Sequence, residues 1–451
     1  MTEPVRIAVL GAGGRGAEAY GSWVLRHPGR ARVVAVADPL AHRREPFADR
    51  AGVAPDARFG DWRPLLAAAA RLDLDAVVVA LPDREHVEPA LAAAALRLPV
   101  LLEKPVATSP GELDRISAEG RRLGARVAVG HVLRFTPFWR SLRALVGAGA
   151  IGRQATIRLE ENIGFWHFAH SYVRGNWRRA DTSSPMVLAK TCHDLDLIRW
   201  FAGAPPITVA SSGSLVHFRP ENAPPGAPAR CLDGCPAAAD CPFYAPRYYA
   251  DALADVHGWP VALVGPDTSP EGRLEGLRTG PYGRCVYACD NDVADHQQTV
   301  LEFADGLTAT LTTSAFTGAN TRTVQITGTR GEVSGRMETG EITLELFSPG
   351  APPPRIPPWA RLVGEDTAGP LGHRVLRLRA APEHDGGEDH RGHSGGDDAL
   401  MENFVAAVAA GTLGEAEENS LEAALDSHRM AFAAETARLD RRVVHWKELA
   451  V

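Results

Sequence analysis

The residues best suited to chemistry in this 451-residue chain are those it uses sparingly or spaces regularly. Of 48 basic residues only Lys104, Lys190 and Lys447 are lysines. Arginine stays protonated in proteins, whereas a partly buried lysine shifts its pKa and exchanges a proton, so a site needing a compact, titratable cation cannot take arginine freely. Lys447, beside Trp446 near the chain end, reads as an ordinary surface charge, which leaves Lys104 and Lys190 as candidates against chance retention. A second set is the glycine run Gly11-Ala-Gly13-Gly14-Arg15-Gly16, with an acid, Asp38, some twenty residues on. A third is cysteine: five of six fall between Arg230 and Asp290.

The elements around the glycines say what they do. Val5 to Leu10 is an apolar strand, the glycine turn opens a helix, and Val33-Val-Ala-Val-Ala-Asp38 is the next strand. This is a βαβ unit in which Gly11 permits the tight turn, Gly13 lets the backbone approach a pyrophosphate and Gly16 lets helix pack on strand. Gly14 and Arg15 complete the turn as expected cofactor contacts, and Asp38 falls at the ribose. A carboxylate there accepts from a 2′-hydroxyl and repels a 2′-phosphate, so NAD is expected over NADP; Arg43 and Arg44 argue weakly the other way. Asp75 to Leu81 reads as a buried parallel strand followed by Pro82, Asp83 and His86, and Pro99 to Leu102 as another that runs into Glu103-Lys104-Pro105. In open α/β sheets ligands sit beyond the carboxyl ends of strands, where Lys104 lies.

Length predicts two domains. With 45% hydrophobic residues, no apolar run long enough to span a bilayer and a net charge of -7 without a basic stripe, neither nucleic acid nor membrane is an expected partner, and a small molecule is. The first strand begins almost at Met1, which leaves no room for a cleavable signal and predicts a cytoplasmic protein.

Glu160, His170, Tyr172, Arg174 and Trp177 lie in a stretch too polar for core. Its mixture of hydrogen-bonding and aromatic groups suits a sugar or cyclitol, whose hydroxyls need polar partners and whose C–H faces stack on rings; an inter-domain or inter-subunit contact is the alternative. His393 and Asp397, flanking Gly395 and Gly396 before a helix, are further pocket candidates. The cysteines sit in a proline-rich, loop-rich insertion at about 215–292. Loops this long need a constraint, and in a reducing compartment a metal is a better staple than disulfides. Cys231, Cys235, Cys241 and Cys285 are the expected ligands of a structural zinc or an iron–sulfur cluster, with Cys289 a weaker candidate and reduced thiols or disulfides the alternatives.

Taken together, the glycine turn, Leu81-Pro82-Asp83 with His86, Glu103-Lys104-Pro105, Cys192-His193-Asp194-Leu195-Asp196 and Ile326-Thr-Gly328-Thr-Arg-Gly331 resemble the glucose–fructose oxidoreductase and inositol dehydrogenase family, Gfo/Idh/MocA. The resemblance implies an α/β fold: an N-terminal Rossmann domain, 1–130, and a C-terminal α/β domain, 131–451, on a large, open, mainly antiparallel sheet. Period-two patterning at Ala155 to Glu160, Gln298 to Phe303 and Leu307 to Thr312 agrees. The resemblance also implies a homodimer or homotetramer, and that Lys104 and His193 act on the substrate hydroxyl being oxidised. A hydride leaves a carbinol only as its proton departs, so histidine as base beside an ammonium fits that chemistry. The chain departs from the pattern where many members carry an aspartate four residues before this histidine; here stands Ala189. Lys190 is then expected to give the pocket a second cation or to lower the histidine's pKa, and Asp194 is a remaining carboxylate for the pocket. The implied activity is NAD-dependent oxidation of a secondary hydroxyl of a sugar, cyclitol or related compound. Two alternatives are a redox-neutral glycosidase or isomerase that returns its hydride, and a dinucleotide sensor without turnover.

Overall fold

Strands whose residues are apolar on both faces belong inside a parallel sheet covered by helices, and the first half of the chain is built that way. The computed structural model describes residues 3–348, 350–352, 354–380, 393–414 and 419–449. Six strands, β1 (Val5–Leu10), β2 (Ala31–Ala37), β3 (Arg58–Phe59), β4 (Ala76–Val79), β5 (Val100–Leu102) and β6 (Val127–Val129), form one parallel sheet in the order β3-β2-β1-β4-β5-β6. The order reverses between β1 and β4, which opens the crevice where a Rossmann domain binds its ligand.

The second sheet has ten strands: β7 (Gln154–Gly164), β8 (Thr208–Ser214), β9 (His296–Glu302), β10 (Thr308–Thr317), β11 (Thr321–Gly328), β12 (Gly331–Arg336), β13 (Glu341–Leu346), β14 (Ala360–Ala368), β15 (His373–Ala380) and β16 (Val444–His445). Their order is β14-β15-β13-β12-β11-β7-β10-β9-β8-β16, and every pairing is antiparallel except β7 with β10. The expected hairpin is present: β9 pairs with β10 across Asp305 and Gly306, with Gly306 at φ +86°. Along β7 the burial alternates, Ile157, Leu159 and Glu161 inward against Arg158 and Glu160 outward. Helices Cys192–Ala202 and Leu421–Asp440 pack together on the inner side, and the latter also rests on Pro110–Leu123 of the first domain. Helix Gly396–Ala410 lies against Gly14–Gly21, so the C-terminal part of the chain returns to the dinucleotide half.

The insertion between β8 and β9 has its own supports. One is Arg273, buried with no carboxylate: all five of its N–H donors go to main-chain carbonyls, those of Thr268, Tyr249, Leu253, Ala254 and Val256, at 2.6–3.0 Å. A buried charge costs little only when so satisfied. The loop constraint expected from metal alone is therefore shared with a hydrogen-bond hub and with aromatic packing of Phe218, Phe243, Tyr249 and Tyr282.

Candidate active site

The dinucleotide end forms as its residue types require. Gly11 sits at φ +94°, and a Cβ there would stand 2.3 Å from the Ala80 carbonyl oxygen. Over Gly13 the space is open as far as Arg43 Nη1, 4.0 Å from where a Cβ would be. The buried Asp38 carboxylate accepts from the main-chain N–H of Ala12 and of Leu40, each at 2.8 Å. A carboxylate has about four acceptor sites, so capacity remains for a ribose hydroxyl. Arg44 is tied to Glu45 and to the Asp38 carbonyl.

Arg15, expected as a cofactor contact, has its side chain engaged within the protein. Its guanidinium bonds Glu103 at 2.6 Å, the Tyr20 hydroxyl at 2.7 Å and both oxygens of Asp397 at 2.7 and 3.0 Å. It clamps the glycine turn to helix Gly396–Ala410. Burial would lift the Glu103 carboxyl, but Arg15, Lys104 and the Tyr20 hydroxyl outweigh it and hold it below the ordinary value. Asp397, likewise buried, is held far below the usual carboxylate range by Arg15 and His393. The His86 ring bridges the Pro105 and Leu81 carbonyls at 2.6 and 2.8 Å, fixing the two strand-end loops to each other. Pro82 precedes Asp83, which accepts from Trp177 Nε1 at 3.0 Å and from the hydroxyls of Ser183 and Ser184.

Beyond β5, Lys104 Nζ donates to the Ala189 carbonyl at 3.0 Å. At the position where the expected aspartate is missing, the main chain supplies the oxygen. His193, in the first turn of its helix, is buried, and among the described residues neither ring nitrogen has a hydrogen-bond partner. Orphaned buried polar atoms of this kind are rare and call for a partner such as a water or a ligand. Burial drives the His193 pKa well below the ordinary value, and Lys104, His393, His131 and Arg322 push it the same way. The rings of His131 and His393 each lie 5.6 Å from it. Burial outweighs the Asp397 contact at 3.4 Å and lowers His393 as well, while His131 falls to about 4.

Lys190 is held by Glu161 at 3.0 Å. Glu161 also meets Arg322 at 2.7 Å, and Arg322 meets Asp194 at 2.8 Å, so two cations and two carboxylates form one buried network. Burial lowers Lys190 and raises Asp194, each opposed by its partners. Asp196 instead receives Arg134 in a two-pronged contact at 2.6 and 2.7 Å. Glu161, Arg322 and His131 were not expected from the sequence.

Three other expected residues lie elsewhere. Glu160 points to the outer face of the sheet and accepts from Thr323. His170 is buried in the insertion, bonded to the Tyr249 hydroxyl at 2.7 Å and stacked on Tyr282. Arg174 donates to the carbonyls of Arg284 and Phe243 and faces Cys231 Sγ at 3.7 Å. Tyr172, buried, stacks on Phe168, and burial, then Asp83 and Glu161, raise its hydroxyl. Cys231, Cys235, Cys241 and Cys285 line one cavity of about 10 Å³. Among the described residues, however, no three histidine, cysteine or carboxylate side chains converge as a single metal ion requires, so the expected zinc tetrahedron is not formed as placed. No disulfide links the six cysteines.

A six-stranded parallel sheet with a glycine turn at its switch point, joined to an open antiparallel sheet with a buried histidine and lysine between them, defines a dinucleotide-binding protein of the two-domain oxidoreductase class. Its N-terminal half matches an oxidoreductase family with an NAD-binding Rossmann fold over residues 5–131, and residues 139–334 match the GFO/IDH/MocA C-terminal domain. The chain belongs to the GFO/IDH/MocA family. Inositol 2-dehydrogenase 4 of Saccharopolyspora erythraea is 35% identical over 204 residues, 44% of this chain and 54% of that protein. An inositol 2-dehydrogenase of Streptomyces avermitilis is 35% identical over 209 residues, 45% of this chain and 54% of its own length. The chain thus spans about half the length of these relatives. Levoglucosan dehydrogenase, solved with NADH and levoglucosan, shares the fold at a TM-score of 0.68 and 16% identity, covering 98% of this chain and 99% of that one. An oxidoreductase from Agrobacterium radiobacter, solved with NAD+, L-tartaric acid and magnesium, does so at 0.66 and 17%, covering all of both chains. Among the described residues no helix is long and apolar enough to cross a membrane.

Proposed function

We propose that this protein oxidises a secondary hydroxyl of a cyclitol or sugar, with NAD as hydride acceptor. The observation that carries the reading is His193, buried beside Lys104 with both ring nitrogens unpartnered. The open space over Gly13, the preceding turn and the Asp38 carboxylate fit a nicotinamide dinucleotide, whose ring takes up the hydride when bound. His193, kept neutral by its burial, accepts the hydroxyl proton at one of its free nitrogens. Lys104, held on the Ala189 carbonyl, stabilises the alkoxide as the proton leaves. Asp194 and Lys190 act through Arg322 and Glu161, fixing the cation that lowers His193. The inositol dehydrogenase relatives support a polyol substrate; a panel of inositols, sugars and sugar acids, read by NADH formation, tests it. No NADH with any of them would count against the reading.

One observation favours a second reading. Among the described residues no carboxylate hydrogen-bonds His193, and none of the groups that shift its pKa favours an imidazolium. A proton and a hydride returned within one turnover suit such a site, and the net reaction would be glycoside cleavage or isomerisation. Product formed by mass without free NADH would select it. The reading also carries a cytoplasmic location and a homodimer or homotetramer built over the outer sheet face, where Val300 and Phe316 are exposed.

A further inference from the structure

We propose that His393, paired with Asp397, carries the proton taken by His193 out of the pocket to solvent. The inference deepens the hydroxyl-oxidising reading above and rests on it. Each turnover of such a dehydrogenase leaves one proton on the base, and a base enclosed by protein passes it to bulk water only through an intermediary. His193 is enclosed in this way: it is buried, and among the described residues neither of its ring nitrogens has a hydrogen-bond partner.

Two histidine rings stand 5.6 Å from it, those of His131 and His393. His131 leads inward. It is 1% exposed, and the ring beyond it, His428 at 5.7 Å, uses Nε2 to accept from the Val106 N–H and Nδ1 to donate to the Ala424 carbonyl. A proton sent that way meets a ring with no free nitrogen. The His393 side chain is 29% exposed, so the same distance leads outward. Its Nδ1 lies 3.4 Å from Asp397 Oδ2, which places the ring hydrogen on Nδ1 and leaves Nε2 to receive a proton. One water spans such a gap between rings. Protonated His193 gives its N–H proton to that water as the water gives one of its own to His393 Nε2. His393 then releases a proton to solvent or buffer, and both rings end the cycle neutral with no group oxidised.

The backbone holds His393 for this use. His393, Ser394 and Gly395 have φ of +47°, +51° and +85°, and two successive non-glycine residues in the left-handed region persist only where the surroundings fix them. Here they are fixed from the helix that follows. A Cβ on Gly396 would stand 2.5 Å from the Val132 carbonyl oxygen, and Arg15 grips both oxygens of Asp397. The facing charges agree with the direction of travel. Burial and, after it, Lys104, His393, His131 and Arg322 all oppose a proton on His193. Burial lowers His393 too, but Asp397 pulls the other way, against smaller effects of Arg15 and Arg322. The proton therefore moves from the ring that no carboxylate serves to the ring that has one.

The test uses His393→Asn, since asparagine tolerates left-handed backbone. With NAD and the substrate found in the polyol panel, wild type is expected to show a kcat independent of buffer concentration. The variant is expected to lose about 10–100-fold in kcat in dilute buffer and to recover most of it as imidazole is added, with NAD affinity within a few-fold of wild type. A kcat unchanged in dilute buffer overturns the relay. So does a loss that imidazole leaves in place, because that marks a structural role. A second measurement needs neither turnover nor a folded variant: histidine ring-nitrogen NMR of wild-type protein, titrated through the acid range. His393 is expected to protonate at higher pH than His193, and the reverse order overturns the proposal. Wild type that forms no NADH on the panel would count against the dehydrogenase reading itself, and the relay would then be decided by the NMR order alone.

Discussion

At the scale of single residues, the proposed reaction turns on His193, a histidine that burial makes harder to protonate. A histidine whose pKa is lowered is neutral above that pKa, so the base is present throughout the neutral range and disappears only as pH falls through the depressed value. The acid limb of kcat/KM is therefore expected below pH 6.5, checked by a pH–rate profile. Lys104→Met removes the cation proposed to meet the alkoxide and is expected to lower kcat by about 10²–10⁴-fold with NAD affinity within a few-fold of wild type, measured by steady-state rates and NADH fluorescence. Arg322→Met leaves Glu161 and Asp194 with one cation instead of two. It should cost about 3 kcal/mol of stability, read by denaturant unfolding, and move the acid limb up in pH because one of the charges lowering His193 is gone. Lys190 drew attention by its rarity, and the structure finds it buried in an ion pair. Rarity could not reveal the partner, because Glu161 differs from the expected Glu160 by a single place.

At the scale of elements, that single place is a strand period. The buried face of β7 runs Ile157, Leu159, Glu161, and that of β11 runs Arg322, Val324, Ile326, so both missed charges lie in phase with apolar residues. Side chains alternate along a strand, and a charge that keeps the apolar phase is aimed inward; this signal was present in the sequence. His131 was legible in another way, since it follows β6 at the carboxyl edge where ligands gather. What could not be read were contacts set by tertiary packing: Arg15 with Asp397, His86 with two carbonyls, and His170 with Tyr249 and Tyr282. Of the parallel sheet, by contrast, β1, β2, β4 and β5 were readable because each apolar run is bounded by the turn that ends it, whereas the short β3 and β6 were not. Gly11→Ala is expected to cost at least about 2 kcal/mol, seen in thermal unfolding and lost NAD binding, since it meets both a positive φ and the Ala80 carbonyl.

At the scale of the whole molecule, the two domains are joined by polar clamps as well as by apolar packing. Arg15 with Asp397 fixes helix Gly396–Ala410 over the glycine turn, and Trp177 with Asp83 fixes the segment after β7 to the loop after β4. Between them lie the open cofactor turn, Lys104 and His193. Light scattering is expected to show a dimer or tetramer, and a monomer at working concentration would remove the outer sheet face from the account. The family and the two-domain fold followed from ordered local motifs; the substrate did not, because hydroxyl configuration is recognised by side-chain geometry that spacing does not encode. The central claim is that His193 takes the proton when NAD is reduced. It is tested most directly by comparing wild type with His193→Asn for NADH formation on the substrate found in the polyol panel, with NAD binding measured in parallel. The account predicts that the variant binds NAD normally and forms NADH at least about a hundredfold more slowly; turnover at the wild-type rate would contradict it.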